Sequence, residues 1–291
     1  MASTRENPKL RFGETPQGDG DRYPLVSIIV TTKNEEKNIE NCLRSIKSQT
    51  YPQHRIEIIL VDNFSRDRTK DIALQYTDKV YDKGPERSAQ RNYGVEKAKG
   101  DYVLYLDADM ILSEGVVLAC VEKIRDNPDL VALYISEIVM GESYFSRVRR
   151  FERSFYEGTV IDCVRFIKKE AFERVGGFDE SLNAAEDWDL DKKIRMTGKT
   201  DLISAPIYHN ESRFNLRQYL DKKGYYAKSF DSYIAKWGKD DVDLRKQLGM
   251  WYRYFGVFTE NGKWKKLLNQ PILALGMYVL RMLVGLAYLG R

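Results

Sequence analysis

The chain has 291 residues, 43% of them hydrophobic and 31% charged, enough apolar material for a sizeable core and too much for global disorder. Lys and Arg number 47 against 43 Asp and Glu, a net charge of +4, well short of the concentrated positive charge of a nucleic-acid-binding domain. With two histidines and three scattered cysteines, Cys42, Cys120 and Cys163, a His-rich metal centre, a CxxC site and a disulfide framework are excluded; free thiols in a reducing compartment are expected, and a metal would rest mainly on carboxylates, which favours Mg or Mn.

Residues 1–23 are polar and rich in Gly and Pro, and read as a flexible tail without the apolar run of an export signal. From Pro24 the texture changes. "LVSIIVTT" reads as a buried strand, and "EEKNIENCLRSIKSQ" as a helix, with Ile39, Leu43 and Ile46 at helical spacing. Thr32 and Glu35 fit a Thr-x-x-Glu capping box for it. "IEIILVDN" is a second strand, and "RDRTKDIALQY" a second helix capped by Ser65 or Asp67. The short strand "KVYDK" precedes the helix "SAQRNYGVEKAKG", which Gly100 is expected to close. The strand "YVLYLDAD", the helix "SEGVVLACVEKI" and the strand "LVALYIS" follow. Strands without clean alternation, separated by helices, predict a mostly parallel sheet covered on both faces. Ligands of such sheets bind beyond the carboxyl ends of the strands, where Asp62 and Asp107 stand.

Two apart on a strand, Asp107 and Asp109 point to one side. Their repulsion would be relieved by a divalent cation, which could bridge the phosphates of a nucleotide; the alternative is a polar strand end in an Asx turn. Further on, "NAAEDWDLDKKIRMTGK" predicts a helix stopped by Gly198, with Glu186 and Asp187 in its first turn. There they would suit the helix dipole, and Asn183 with Glu186 resembles a second capping box. Trp188 reads as packing. His209 follows an apparent strand and could be a satisfied polar residue or a ligand. After residue 211 Arg and Lys interleave with aromatic residues, and the chain ends in "PILALGMYVLRMLVGLAYLGR". That run is long enough to span a bilayer, but Arg281 sits at its centre and Gly276 and Gly285 weaken it. A helix lying in the membrane interface is the expectation, against a helix packed on the protein.

The stretches "SIIVTTKNEEKNIENCLRSIKSQTYP", "EIILVDNFSRDRT", "ERSAQRNYGVEKAKGDYVLYLDAD" and "VGGFDESLNAAEDWDL", in this order over roughly residues 24–212, resemble glycosyltransferase family 2. The resemblance implies the GT-A fold: an α/β, Rossmann-like, mostly parallel sheet with helices on both faces. It places a catalytic domain at 24–212 and leaves 213–291 as a helical, membrane-associated appendage. It also implies roles. Asp107 and Asp109 match the Asp-x-Asp motif, with Asp109 the more direct metal ligand. Asp62 matches the aspartate that bonds the nucleotide base, Thr32 and Glu35 lie against the nucleoside, and Arg87 and Arg91 stand near the diphosphate. Asp187 is expected as general base, supported by Glu186, and His209 as completing a Mn or Mg shell. Family members often carry two aspartates after the second strand; Asn63 here departs from that and opens the base preference.

The expected activity is metal-dependent, inverting transfer of a sugar from a nucleotide-diphosphate donor, UDP-linked, to a hydroxyl of a glycan or polyprenyl-linked saccharide. The site of action would be the cytoplasmic face of a membrane, with no nucleic-acid partner. The alternatives are a polyprenyl-phosphate sugar synthase, a nucleotidyltransferase, and a non-catalytic membrane scaffold of the same fold.

Overall fold

A computed structural model describes residues 23–211, 214–227 and 230–289. The predicted tail, apart from Tyr23, lies outside the described residues. The core is an eight-stranded sheet. Its strands are β1 (Val26–Thr32), β2 (Ile56–Asp62), β3 (Val80–Asp82), β4 (Tyr102–Asp107), β5 (Met110–Leu112), β6 (Leu130–Val139), β7 (Phe166–Lys168) and β8 (Lys199–His209), in the order β3-β2-β1-β4-β7-β6-β8-β5. The β3-β2-β1-β4 half and the β6-β8 pair are parallel, whereas β7 and β5 run antiparallel to their neighbours. Every residue of β1 is buried, Ser27, Thr31 and Thr32 along with the aliphatic ones, which is why its sequence does not alternate apolar with polar. One apolar cluster lies on each face of the sheet. The first joins Ile28, Val30 and Leu104 to Leu43, Val117 and Cys120; the second joins Ile29, Ile59 and Tyr105 to Val95, Phe172 and Leu190.

Register sets the site. Thr32 lies opposite Asp62 in the β1–β2 pair, and Thr31 opposite Asp107 in the β1–β4 pair. Three strands therefore end in one row. At the other side His209 pairs with Met110 and with Val139, beside the loop that carries Asp109.

The helices in the first half are α1 (Ile39–Lys47), α2 (Thr69–Ala73), α3 (Arg87–Lys97) and α4 (Val116–Asp126). Their ends differ from the predicted ones. The Thr32–Glu35 box predicted at α1 does not form: Asn38 precedes the helix without a side-chain cap. The backbone oxygen of Glu35 instead accepts from the Asn38 and Ile39 amides. Asp67 accepts from the Thr69 amide and hydroxyl ahead of α2, but Ser65 bonds back to Asp62. Gly100 does not cap α3. A Cβ there would sit 2.7 Å from the backbone oxygen of Leu25 and the amide of Ser27, so glycine is required for the chain to pass against the start of β1.

The second half adds α5 (Tyr144–Arg153), α6 (Lys169–Arg174), α7 (Glu186–Arg195), α8 (Leu216–Ala227), α9 (Phe230–Trp237), α10 (Val242–Leu248), a π-helical turn at Tyr252–Gly256, α11 (Val257–Thr259), α12 (Trp264–Asn269) and α13 (Pro271–Leu289). No described helix is long and apolar enough to cross a membrane. Arg281 is turned into the protein, 3.1 Å from Glu152 and stacked 4.6 Å from the Phe258 ring centre. Gly276 is a contact point: a Cβ would meet the Tyr144 hydroxyl at 2.2 Å. One face of α13 is thus packed on α5 around Val148, Phe151 and Met277, while Ile272, Leu275, Val279, Met282 and Leu286 face outward.

Replacing Gly100 by Ala should cost about 1–3 kcal/mol, because the added methyl meets backbone of Leu25 and Ser27 that cannot give way, besides the Ser27 hydroxyl. Gly115→Ala, with nothing within 4 Å of the new carbon, is the control; urea unfolding of both variants measures the difference.

Candidate active site

At the carboxyl ends of β1 and β2 two loops are laced together. Asn34 donates its amide to Ser65 and accepts from the Arg66 amide, and Glu35 donates its amide to Thr69 at 2.8 Å. Asp62 is fully buried and accepts from the Ser65 amide at 2.6 Å and from its hydroxyl. Asn63 bonds the Pro85 carbonyl, so it fixes a neighbouring loop. Phe64 next to it holds a left-handed φ of 53° with its ring 62% exposed, backbone strain of the kind that collects at functional sites. The Thr32 hydroxyl is buried without a partner. Burial raises the pKa of Glu35; its bond to Asn38 opposes this, and the charges of Asp109 and Asp107 add to it.

β4 ends at Asp107, so strand alternation stops before Asp109 and the two carboxylates are held differently. Asp107 accepts from Thr31 at 3.2 Å and from Arg91 at 3.0 Å, with Arg87 at 3.8 Å. Burial opposes its ionisation, but Arg91 and Arg87 outweigh it and hold the carboxyl well below its usual range. Asp109 stands 3.2 Å from His209 Nε2 through Oδ2, while its Oδ1 is buried without a partner.

Arg91 is 1% exposed, neither a solvated helix residue nor a side chain open to a phosphate. Nη1 reaches Asp187 at 2.7 Å and Nη2 reaches Asp107, and the guanidinium lies over the rings of Tyr105 and Phe178. One turn earlier, Arg87 is 41% exposed and lies between Asp107 and Glu186. Of the two arginines it is the one placed to meet an anion.

α7 begins after Ala185, which has a left-handed φ of 62° and gives no side-chain cap, so the Asn183–Glu186 box does not form. Glu186 is instead buried. Burial and the neighbouring Asp187 raise its pKa to about 7 against the pull of Arg91 and Arg87. Asp187 is more open, with its side chain 31% exposed. Trp188 packs, donating to the Ile161 carbonyl and stacking on Phe230.

His209 bridges Asp109 and Glu137, the latter at 2.9 Å from Nδ1. Burial lowers its pKa, but the two carboxylates outweigh that and lift it to about 10. Sequence reasoning missed Glu137, Arg165 and Gln90. Gln90 ties the Thr32 and Val61 carbonyls together. The signal for Glu137 was available: a lone acid inside the apolar run "LVALYISEIV" needs a buried partner.

No three metal-ligating side chains converge among the described residues. The Asp109–His209 corner nonetheless fits a divalent cation: an orphaned carboxylate oxygen stands beside an imidazole nitrogen, a donor set that suits Mn. The rest of the shell would come from a ligand's oxygens.

The family model for glycosyl transferase family 2 matches residues 27–178. The chain belongs to this family. It is a glycosyltransferase. The glycosyltransferase AglE of Haloferax volcanii is 27% identical over 247 residues, 78% of this chain and 80% of that protein. The minor teichoic acid biosynthesis protein GgaB of Bacillus subtilis is 28% identical over 266 residues, 84% of this chain, which spans only 29% of GgaB. Among solved structures, a mannosyltransferase of Pyrobaculum calidifontis in complex with GDP-Man and Mn2+ superimposes with a TM-score of 0.60 at 20% identity, covering 91% of this chain and 87% of that one. S. aureus TarS 1-349 in complex with UDP-GlcNAc gives 0.54 at 20% identity, covering 87% and 79%. Both likenesses establish the GT-A fold.

The raised pKa of Glu186 carries a sign. Below its ordinary value of 4.5 the carboxyl is protonated in both folded and unfolded chains and costs nothing. As pH rises through about 7 the folded protein must bury a charge that the unfolded chain leaves in water. Glu186→Gln should therefore be increasingly stabilising relative to wild type from about pH 4 to about pH 8, on the order of 3 kcal/mol at the upper end. Urea melts across that range measure it.

Proposed function

We propose that this glycosyltransferase moves a sugar, with inversion, from a nucleotide-diphosphate donor to a hydroxyl acceptor, using a divalent cation. The observation that carries the reading is buried Arg91, which joins Asp107, two residues before the Asp109 of the Asp109–His209 corner, to Asp187 of α7. The donor's base and ribose would lie at the ends of β1 and β2, with Asp62 accepting a ring N–H and Thr32 and Glu35 against the sugar. Arg87 meets the diphosphate. A Mn or Mg ion held by Asp109 and His209, with Asp107 close by, would neutralise charge on the leaving diphosphate.

On the acceptor side two neighbouring acids meet different surroundings, Glu186 buried and Asp187 more open and bonded to Arg91. Glu186 is the buried member that tends to keep its proton. Asp187, more open and oriented by Arg91, takes the proton of the attacking hydroxyl. The UDP-GlcNAc complex of TarS favours a UDP-linked donor; the GDP-Man complex of the mannosyltransferase makes GDP the competing nucleotide. The teichoic acid relative supports a polymer or lipid-linked hydroxyl acceptor. Residues 24–212 form the catalytic domain in this reading.

Residues 213–291 form an appendage that meets the cytoplasmic face of a membrane. Its outward face carries the apolar stripe of α13, and Trp251 and Trp264 are exposed. Residues 244–291 hold eight Lys or Arg, Arg281 alone of them turned into the core among the described residues, against one acid, Glu260, a balance suited to anionic lipid.

Calorimetric titration of UDP and GDP, with and without Mn, tests the donor site. Mn-dependent binding of UDP is expected, lost in Asp109→Ala; binding of neither nucleotide would move a non-catalytic scaffold to the front. Asp187→Asn should lower kcat by about 10²–10⁴-fold. Near-normal turnover would instead indicate an already ionised phosphate acceptor, as in a polyprenyl-phosphate sugar synthase. For the membrane, sedimentation with phosphatidylserine-containing vesicles should capture the wild type and release the Leu275→Glu/Val279→Glu variant. Equal recovery of both would remove α13 from the contact.

A further inference from the structure

Glu137 is 9% exposed and lies within a strand of otherwise mostly apolar residues. A buried carboxylate persists only when it is paired. Its two oxygens are divided between different partners. Oε2 takes both cations, Arg153 Nη2 at 2.8 Å and Arg165 Nη2 at 3.2 Å. Oε1 is left for His209 Nδ1 at 2.9 Å. The backbone prepares this meeting. Pairing of β6 with β8 keeps one register from Ala132 opposite Thr200 to Ile135 opposite Ile203, slips, and resumes with Glu137 opposite Ile207 and Val139 opposite His209. Such an irregularity re-aims side chains locally. Glu211 is the other acid near the ring, 3.9 Å from Nδ1 and already bound to Arg149.

Nε2, on the far side of the imidazole, points at Asp109. We propose that Glu137 is a positioning residue, which keeps a proton of His209 on Nδ1 and aims Nε2 at the Asp109 side, so that a divalent cation replacing the Nε2 proton meets one imidazole nitrogen and one carboxylate oxygen together. The inference rests on the cation reading given above and adds what sets the ring's tautomer and angle. A carboxylate behind a ligating histidine fixes ring orientation and raises nitrogen basicity, and its loss typically weakens metal binding 10–100-fold. If Glu137 served only as counter-ion to Arg153 and Arg165, its Oε1 bond to His209 would be incidental and cation affinity would not depend on it.

The test measures Mn affinity of the UDP-loaded protein by electron paramagnetic resonance for wild type, Glu137→Gln, His209→Ala and the double variant. Glu137→Gln is expected to weaken Mn about 10–100-fold while leaving UDP affinity without metal unchanged. The double variant should be no weaker than His209→Ala, because the glutamate acts only through the ring. Nitrogen-15 spectra of His209 in the wild-type complex with UDP and diamagnetic Mg should show the proton on Nδ1, a readout that needs no variant to fold. The inference is overturned if Glu137→Gln weakens Mn equally in the His209→Ala background, if it lowers stability without changing Mn affinity, or if the proton lies on Nε2. Loss of nothing in His209→Ala, with Mn still bound by the wild type, overturns this inference and leaves the donor site standing. Failure of the UDP-loaded wild type to bind Mn overturns both.

Discussion

The buried guanidinium of Arg91 is the constraint around which the catalytic face is arranged. A cation removed from water is tolerated only where charge and geometry compensate it, and taking away one partner of such a group typically costs about 3–5 kcal/mol. Arg91 draws its compensation from Asp107 at the end of β4 and from Asp187 on α7, side chains 80 residues apart in sequence. The faces of Tyr105 and Phe178 cover the remainder. Neither acid can move far without exposing that cost. The motif at the end of a central strand and the acidic start of a distant helix are therefore held in fixed relation before any ligand arrives, which is the preorganisation that transfer chemistry draws on.

A second chain of contacts extends the same logic towards the cation corner. Tyr105 lies between Arg91 and Arg165, Arg165 pairs with Glu137, and Glu137 reaches His209 and through it Asp109. Both arms begin at the end of β4. The parallel register of β1, β2 and β4 sets Thr32, Asp62 and Asp107 in a row, while the antiparallel β5–β8 pair brings His209 back beside Asp109. The mixed sheet is thus what allows one short turn, Asp107 to Asp109, to serve two differently charged surroundings.

Much of this was legible in sequence wherever the information is local. Continuous apolar runs gave the buried strands, and the acids at their ends fell where an α/β sheet binds ligands. What was not legible depended on which distant atom claims a side chain. Thr-x-x-Glu and Asn-x-x-Glu are capping boxes only if the helix starts where the motif expects. Here α1 starts at Ile39 and α7 follows a left-handed Ala185, so Glu35 and Glu186 are turned to the site instead. Gly100 looked like a helix stop because its clash with β1 is a long-range fact. Arg281 looked like a charge opposing burial; Glu152, 129 positions earlier, makes it part of the core. Resemblance to a family named candidate residues for the site, but not that Arg91 would be taken up by two carboxylates.

The last helices are more than a cover for one face. α7, which carries Glu186 and Asp187, is braced from outside. Asp189 takes Lys236 at 2.8 Å and the Trp237 ring N–H at 2.9 Å, Lys192 pairs with Asp241, and Arg195 reaches Asp243 at 2.6 Å. Trp188 on the same helix stacks against Phe230. Asp189 is fully buried, so these are not exposed surface pairs of negligible worth; their loss would leave charge in the interior. The helix that carries the proton-accepting group in this reading is therefore clamped on one side by Arg91 and on the other by the C-terminal helices. A lipid surface meeting those helices would be connected to the acceptor side of the site through packed, charged contacts, and the appendage would then orient the acceptor carboxylates as well as place the enzyme near its substrate.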